Sequence, residues 1–450
     1  MFEELVKEIT KELITKENRQ RDRRDDAQAA FEYATRHILE GLWKNSLSYP
    51  PNKNSINLRR GYYSELPRYR NQKLTYRQVK AAFDGLIECR FIEVTTRGFY
   101  SRERASGELT RFISTDRLLE RFENLEGHPA FVIKPNVTEE IIILRNQIDG
   151  QKVDVDYKDT PKTDRFRSNL RKINECFLKH WTDIRIKDSE VQRLADRIKQ
   201  DPDKDPIDLS RRTLTRIFAN GSFEEGGRFY RGWWQNVPSE YRPYITIDEA
   251  ITTEYDYSQL SPHMLYFAYD LKMGSEDAYN RVFDGEHRDV VKQAFNAMVQ
   301  SQTPLLRKPD KINMDGMEMD WRELRERILN AHKPIAHLFF TGIGNRLQFK
   351  DSCIAETVML QFVNENQVAL PIHDSFIMRA GFAGDLEEAM RRAFYDEFQA
   401  DIPVKHEVVV ERSALFEEDG TPRIEEVTKD DREHSQWYDR NTMWLVSRGK

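Results

Sequence analysis

Two aspartates, Asp256 and Asp374, stand where a carboxylate can do chemistry. Asp256 lies in EYDYSQLSPHMLYF, directly before an apolar run with helical spacing. Asp374 lies in NQVALPIHDSFIMRAGF, where residues 368–372 and 376–379 read as short strands joined by a turn at His373-Asp374. An ionised aspartate at the tip of an apolar hairpin is costly unless it has a ligand. On adjacent strands, two such carboxylates can hold two divalent ions about 3.5–4 Å apart, the arrangement that serves in-line phosphoryl transfer. Hard oxygen ligands favour Mg2+ or Mn2+ in that place. Alone, Asp256 would read as a helix N-cap and Asp374 as a solvent-facing turn residue. Only the pair points to catalysis.

Between the acids lies RDVVKQAFNAMVQS, residues 288–301. Arg288 and Lys292 are one helical turn apart and share a face. Val291, Ala294 and Met298 form the neighbouring apolar stripe that would pack this helix down. Two cations on one face suit a polyphosphate.

Composition removes other chemistries. Cys89, Cys176 and Cys353 are far apart with no CxxC pair, so neither a zinc ribbon nor a disulfide framework is suggested. The 10 histidines show no HExxH spacing, which leaves any metal to carboxylates. Mean hydropathy is −0.75 and no apolar run is long enough to cross a bilayer. The charged amphipathic start, MFEELVKEITKELITKENRQ, is unlike a signal peptide. A soluble cytoplasmic protein without membrane partners is expected, its oligomeric state left open.

Charge is unevenly spread. Residues 56–117 carry 13 Lys or Arg against 7 Asp or Glu, a local +6 within a chain of net charge −6. RRGYYSELPRYR interleaves Arg59, Arg60, Arg68 and Arg70 with tyrosines, which suits phosphate contact plus base stacking. Upstream, residues 1–45 read as helix. Downstream come a helix capped by Thr75, the run FIEVTT, a turn at Gly98 and LTRFIST. A long helix is expected from Thr163 to about Leu178.

At this point the chain resembles the family A nucleic-acid polymerases, which include bacterial DNA polymerase I and single-subunit phage RNA polymerases. EYDYSQL is similar to their motif A. LPIHDSF is similar to motif C in its RNA polymerase form. The Arg-x-x-x-Lys spacing of Arg288 and Lys292 is that of motif B. GGRFYRGWWQNVP resembles the segment before motif A that ends in Gln-Asn-(Ile/Val)-Pro. The resemblance implies an α+β palm with reduced helical fingers and a two-ion nucleotidyl transfer. It assigns Asp256, Asp374 and the Tyr257 carbonyl to the metals. Arg288 and Lys292 hold the triphosphate, and His373 positions the primer end. Arg228, with Gln235 and Asn236 following, contacts the primer-template minor groove. DNA or RNA strands and nucleoside triphosphates are the implied partners. Helix followed by a basic hairpin also resembles the winged helices of plasmid and phage replication initiators.

The expected organisation is a helical segment over 1–55, a winged-helix-like region over 56–135 and a helical, thumb-like connector over 136–208. Palm and fingers follow over 209–415, with an acidic tail over 416–450. A proofreading exonuclease beside a thumb of usual size is not expected, and so compact an enzyme would suit a phage, mobile-element or defence setting.

Departures from the family matter as much. Gln300 and Ser301 replace Tyr-Gly of motif B, and Asn296 replaces its Phe. Ser261 stands where DNA enzymes carry the Glu that blocks a 2′-hydroxyl, and Ser375 follows the motif C acid as in RNA polymerases. Ser261 and Gln300 are therefore the candidate sugar-contacting positions. Two alternatives follow: a primase or RNA polymerase that uses ribonucleotides, and a non-enzymatic DNA-binding initiator or regulator with a relic palm.

Overall fold

Apolar residues at helical spacing build the first two helices. α1 (Phe2–Lys16) buries Leu5, Val6, Ile9 and Leu13, and α2 (Asp25–Ser46) buries Phe31, Ala34, Ile38 and Leu42. The computed structural model describes residues 1–449 except 18, 66, 102–105, 134–138, 203, 275, 284–285 and 407–430. Both helices pack on α3 (Tyr76–Glu88) through Val79, Ala82, Phe83 and Leu86. Thr75 is the N-cap residue of α3, but its side chain makes no capping bond. A three-stranded sheet completes this unit, in the order β1 (Asn54–Ile56), β5 (Thr110–Ser114), β2 (Ile92–Thr96). The hairpin of β3 (Phe99–Ser101) and β4 (Ser106–Glu108) stands off it, with Phe99 and Tyr100 exposed. The short helices α4 (Asp116–Glu123) and α5 (Pro129–Val132) follow. Residues 2–133 contribute one apolar core, separate from the core of the remaining chain.

The second core fills a mixed α/β body with a curled half-barrel sheet. One sheet has the order β10 (Ser222–Tyr230), β9 (Thr215–Ala219), β6 (Ile142–Ile148), β7 (Gln151–Asp154), with β6 parallel to β9 and the other pairs antiparallel. The other runs β13 (Leu370–Ile372), β14 (Ser375–Arg379), β12 (Ala250–Tyr257), β11 (Ile245–Ile247), β8 (Thr182–Ile184), and β15 (Val404–His406) pairs with the end of β12. The stretch 136–208, expected as a helical connector, thus supplies strands to both sheets. Its helix α6 (Pro161–Lys179) starts two residues before the expected Thr163, because Pro161 occupies the first turn and Thr160 and Thr163 form a reciprocal capping pair. α7 (Asp188–Lys199) follows β8.

After β12 come α8 (Leu260–Phe267), α9 (Arg288–Gln300) and α10 (Trp321–Ala331). α11 (Gly344–Asn364) then packs against α6, α9, β10 and α12 (Ala383–Phe398), so it links both sheets to the helices. Its buried polar stripe meets the first sheet. Wholly buried Arg216 of β9 pairs with Glu356 at 2.9 Å, donates to Ser352 at 2.9 Å and lies over Phe166 at 4.3 Å. A buried charge persists only with such partners.

Residues 407–430, which hold the end of the expected palm and the start of the expected acidic tail, lie outside the described residues. Beyond them the chain forms a helix, α13 (Ser435–Ser447), docked on the β8 edge. Its Arg440 makes two hydrogen bonds to buried Asp183, of 2.9 and 2.7 Å, and its Trp437 ring lies tilted against Trp181 at 4.8 Å. Among the described residues no helix is long and apolar enough to cross a membrane.

Candidate active site

β-sheet register decides whether the acids meet. β12 and β14 are antiparallel, with Asp256 opposite Ser375, the neighbour of Asp374. The Tyr257 N–H reaches the Asp374 carbonyl at 3.4 Å. The acids, 118 positions apart in sequence, therefore lie side by side at the same end of adjacent strands. The β13–β14 turn is tight, since Ile372 pairs with Ser375 and leaves only His373 and Asp374 between them. His373 adopts φ +58°, a left-handed conformation that costs a non-glycine residue about 1–2 kcal/mol.

Four side chains hold this strained turn. Glu254, buried two residues before Asp256 and on the same strand face, accepts from the Ser375 hydroxyl at 2.7 Å and from Arg242 at 2.8 Å. Ser375 also donates to the Ile372 carbonyl at 3.2 Å. Trp234 and Gln235 both donate to the Pro371 carbonyl, at 3.0 and 3.2 Å. Gln235 also donates to the Phe229 carbonyl at 2.9 Å and accepts from Gly232 N at 3.1 Å, so its amide is spent on backbone. It thereby positions the acid hairpin. Asn236 is half-buried beside it.

Arg228 on β10 faces the same place. It pairs with Asp351 of α11 at 2.6 Å, and the charge of Asp374 also bears on it. Asp351 is 2% exposed, and burial first, then repulsion from Asp374, raises its pKa to about 6 despite Arg228. α11 packs closely on β10 at Gly227, at φ +77°, where an added Cβ would lie 3.1 Å from Ser352 Oγ of α11 and 2.8 Å from the Phe218 ring of β9. His373 contacts Tyr230 edge-on at 5.9 Å. Desolvation, then the charge of Arg228, lowers its pKa to about 4; because the ring keeps an exposed edge, the cationic neighbour is the firmer cause. The ring is neutral at physiological pH.

No family model matches the chain, and no curated protein sequence matches it.

The other expected residues are distributed less tightly. Arg288 opens α9 and bonds Asp277 twice, at 3.1 and 2.8 Å; Lys292 is exposed one turn on. Ser261 is half-buried in the first turn of α8. Gln300 ends α9 with its side chain laid over Gly344, where a Cβ would meet it at 2.5 Å. The Tyr257 hydroxyl is turned away to the Met390 carbonyl at 2.6 Å, which leaves its main chain toward the acids. Sequence reading missed Asp351, Glu254 and Tyr279. Tyr279 lies close enough to Asp374 and Asp256 to feel both charges.

The donor set fits a hard cation. Mg2+ is commonly bound by one or two carboxylates while it keeps several waters. Asp256 and Asp374 provide that, and no hydrogen bond or ion pair engages the Asp374 carboxylate among the described residues. No cluster of three or more His, Cys, Asp or Glu arranged for a metal occurs among those residues.

The N-terminal arginines have other partners. Arg68 contacts Glu140, Asp156 and Asp159 at 3.0–3.2 Å and lies over the Tyr157 ring at 4.1 Å. It ties the N-terminal unit to the body. Arg59 pairs with Glu65 and covers Tyr100, Arg70 covers Tyr62 at 4.0 Å, and Arg60 is exposed. Arg68→Ala is expected to lower stability by about 2 kcal/mol in urea unfolding, because it strands charge-assisted hydrogen bonds. Nucleic-acid affinity should change by less than about twofold; a steep loss with unchanged stability would return Arg68 to the interface.

Proposed function

We propose that the chain is a metal-dependent nucleotidyltransferase that extends a nucleic-acid strand from nucleoside triphosphates. The observation that carries this reading is the register of β12 against β14, which sets Asp256 and Asp374 side by side. Asp256, Asp374 and the Tyr257 main chain would hold Mg2+ or Mn2+. Bound there, the ions supply activation of the attacking 3′-hydroxyl and neutralisation of the charge that develops on the transferred phosphate. Arg288 and Lys292, on one face of α9, would hold the triphosphate. Neutral His373 can donate to or accept from the primer end without adding charge to the site. Arg228, fixed by Asp351, adds a cation beside Asp374 where strand phosphates would pass. Ser375 has its hydroxyl committed to Glu254, so sugar choice falls to other positions, with Ser261 one of them.

The test is incubation of the full chain with Mg2+ or Mn2+, each nucleotide set, and primed or unprimed strands. Extension of a primed strand is the expected result. Products without a primer would favour the primase alternative. Strand binding with no incorporation under any condition would favour the non-enzymatic one.

A further inference from the structure

The segment between α8 and α9 is irregular, yet it is clamped beside the acids. Gln259, three residues after Asp256, accepts the Ala278 N–H at 2.6 Å. His332, wholly buried, lies 3.0 Å from the Ala278 carbonyl through Nε2 and 3.1 Å from the Tyr266 hydroxyl through Nδ1. Burial lowers its pKa to about 4, so the ring is neutral. A carbonyl can only accept, so Nε2–H donates to it and Nδ1 accepts from Tyr266. Asp277, on the other side of Ala278, holds Arg288.

These bonds fix Tyr279. Its ring is 2% exposed, edge-on to Phe295 at 5.6 Å and covered by the Arg288 guanidinium at 5.3 Å. Its hydroxyl has no hydrogen-bond partner among the described residues, yet it is not among the sealed-off polar atoms. Burial first, and then the charges of Asp277, Asp374 and Asp256, push its pKa up against Arg288, which keeps the proton on. An aromatic side chain this rigidly packed, with an unspent donor, is poised for a ligand.

We propose that Tyr279 is a nucleotide-binding residue whose hydroxyl donates to a phosphate oxygen of the incoming nucleoside triphosphate, between Arg288 and the acid pair. The inference rests on the nucleotidyltransferase reading above. The ligand class follows from the flanking groups. The Arg288 guanidinium lies over the ring, and the Asp374 and Asp256 carboxylates, suited to a cation, lie within reach of its charge. A bridging ligand must offer anionic oxygens to both, and a polyphosphate does.

The test uses Tyr279→Phe in the full chain with Mg2+, which keeps the ring and removes the donor. Three readouts are taken: KM and kcat in primed extension, the ratio of ribo- to deoxyribonucleotide use, and calorimetric binding of inorganic tripolyphosphate, which has phosphates and no sugar. Expected are an increase of about 10-fold in KM and in the tripolyphosphate Kd, as for one hydrogen bond to a charged group, with kcat within about twofold and the sugar ratio unchanged. Tyr279→His, which keeps a ring and a donor, should recover part of the loss even if the Phe variant proves unstable. Unchanged tripolyphosphate binding in the Phe variant, or equal impairment of both variants, overturns the inference. A changed sugar ratio with unchanged tripolyphosphate binding also overturns it, by placing the hydroxyl at the sugar. If wild type incorporates nucleotide while these results fail, only this inference falls; if wild type neither incorporates nor binds tripolyphosphate, the nucleotidyltransferase reading falls with it.

Discussion

Asp256→Ala and Asp374→Ala should each reduce nucleotide incorporation by about 1,000-fold or more, since a metal-stabilised transition state draws several kcal/mol from its ligands and each 1.36 kcal/mol is tenfold in rate. Stability should barely move. Both side chains are half-buried at strand ends, outside the apolar core. Removing Asp374 also relieves repulsion on Asp351, while Arg228 keeps its 2.6 Å partner. Thermal unfolding is therefore expected within a few degrees of wild type for both variants. Asp→Asn at either position should behave alike, because the amide retains shape and loses the charge that a cation needs. Near-normal incorporation by either Ala variant at saturating Mg2+ would end the proposal.

Asp351→Asn is the second large effect, and pH separates its parts. The folded state raises the Asp351 pKa to about 6, above that of an unfolded chain, so the native protein binds this proton more tightly. The resulting stability is fully present below about pH 4 and is lost as pH rises through about 6, a change on the order of 3 kcal/mol. In Asp351→Asn that window should be flat in urea titrations. Function runs the other way. Ionised Asp351 holds Arg228; once protonated it holds it less, and Arg228 competes with cations for Asp374. Wild-type incorporation should therefore fall as pH drops through about 6. The Asn variant should resemble the acid form throughout, with activity or Mg2+ affinity reduced about 10–100-fold, as for partners that orient metal ligands. Identical pH profiles and Mg2+ dependence in the two proteins would show that Asp351 acts only on stability.

The acids were legible because their surroundings are contradictory. A carboxylate inside NQVALPIHDSFIMRAGF conflicts with the apolar pattern on both sides, and such conflicts mark sites. The α9 face was legible for the opposite reason, since Val291, Ala294 and Met298 follow the helical period and are buried. Asp351 was not legible. In LQFKDSCIAE it follows a lysine and looks solvated, and the packing of α11 on β10, where Arg228 meets it, is not visible in the sequence. Glu254 was hidden by its neighbour Asp256, although the alternation of a strand puts both on one face. Tyr279 lies in a segment with no period at all. The partners of Arg68 were not legible either, because sequence counts cations without showing that Glu140, Asp156 and Asp159 meet this one across the fold. Nor did Trp437 and Arg440 show in the sequence that they dock α13.

That docking bears on how the molecule is made. Asp183 lies 1% exposed in β8, and its partner Arg440 follows 257 residues later. A carboxylate cannot be sealed into an apolar edge without its cation. During synthesis, at roughly 5–20 residues per second, the β8 edge must stay hydrated for on the order of 10–50 seconds until Arg440 emerges. The N-terminal unit draws its core only on residues up to Ile133 and can close it while the ribosome is still translating, with α5 meeting Trp444 of α13 afterwards. The body that carries the acids is thus the later of the two to reach its final form, and its exposed strand edge is the part of the nascent chain that a chaperone would meet.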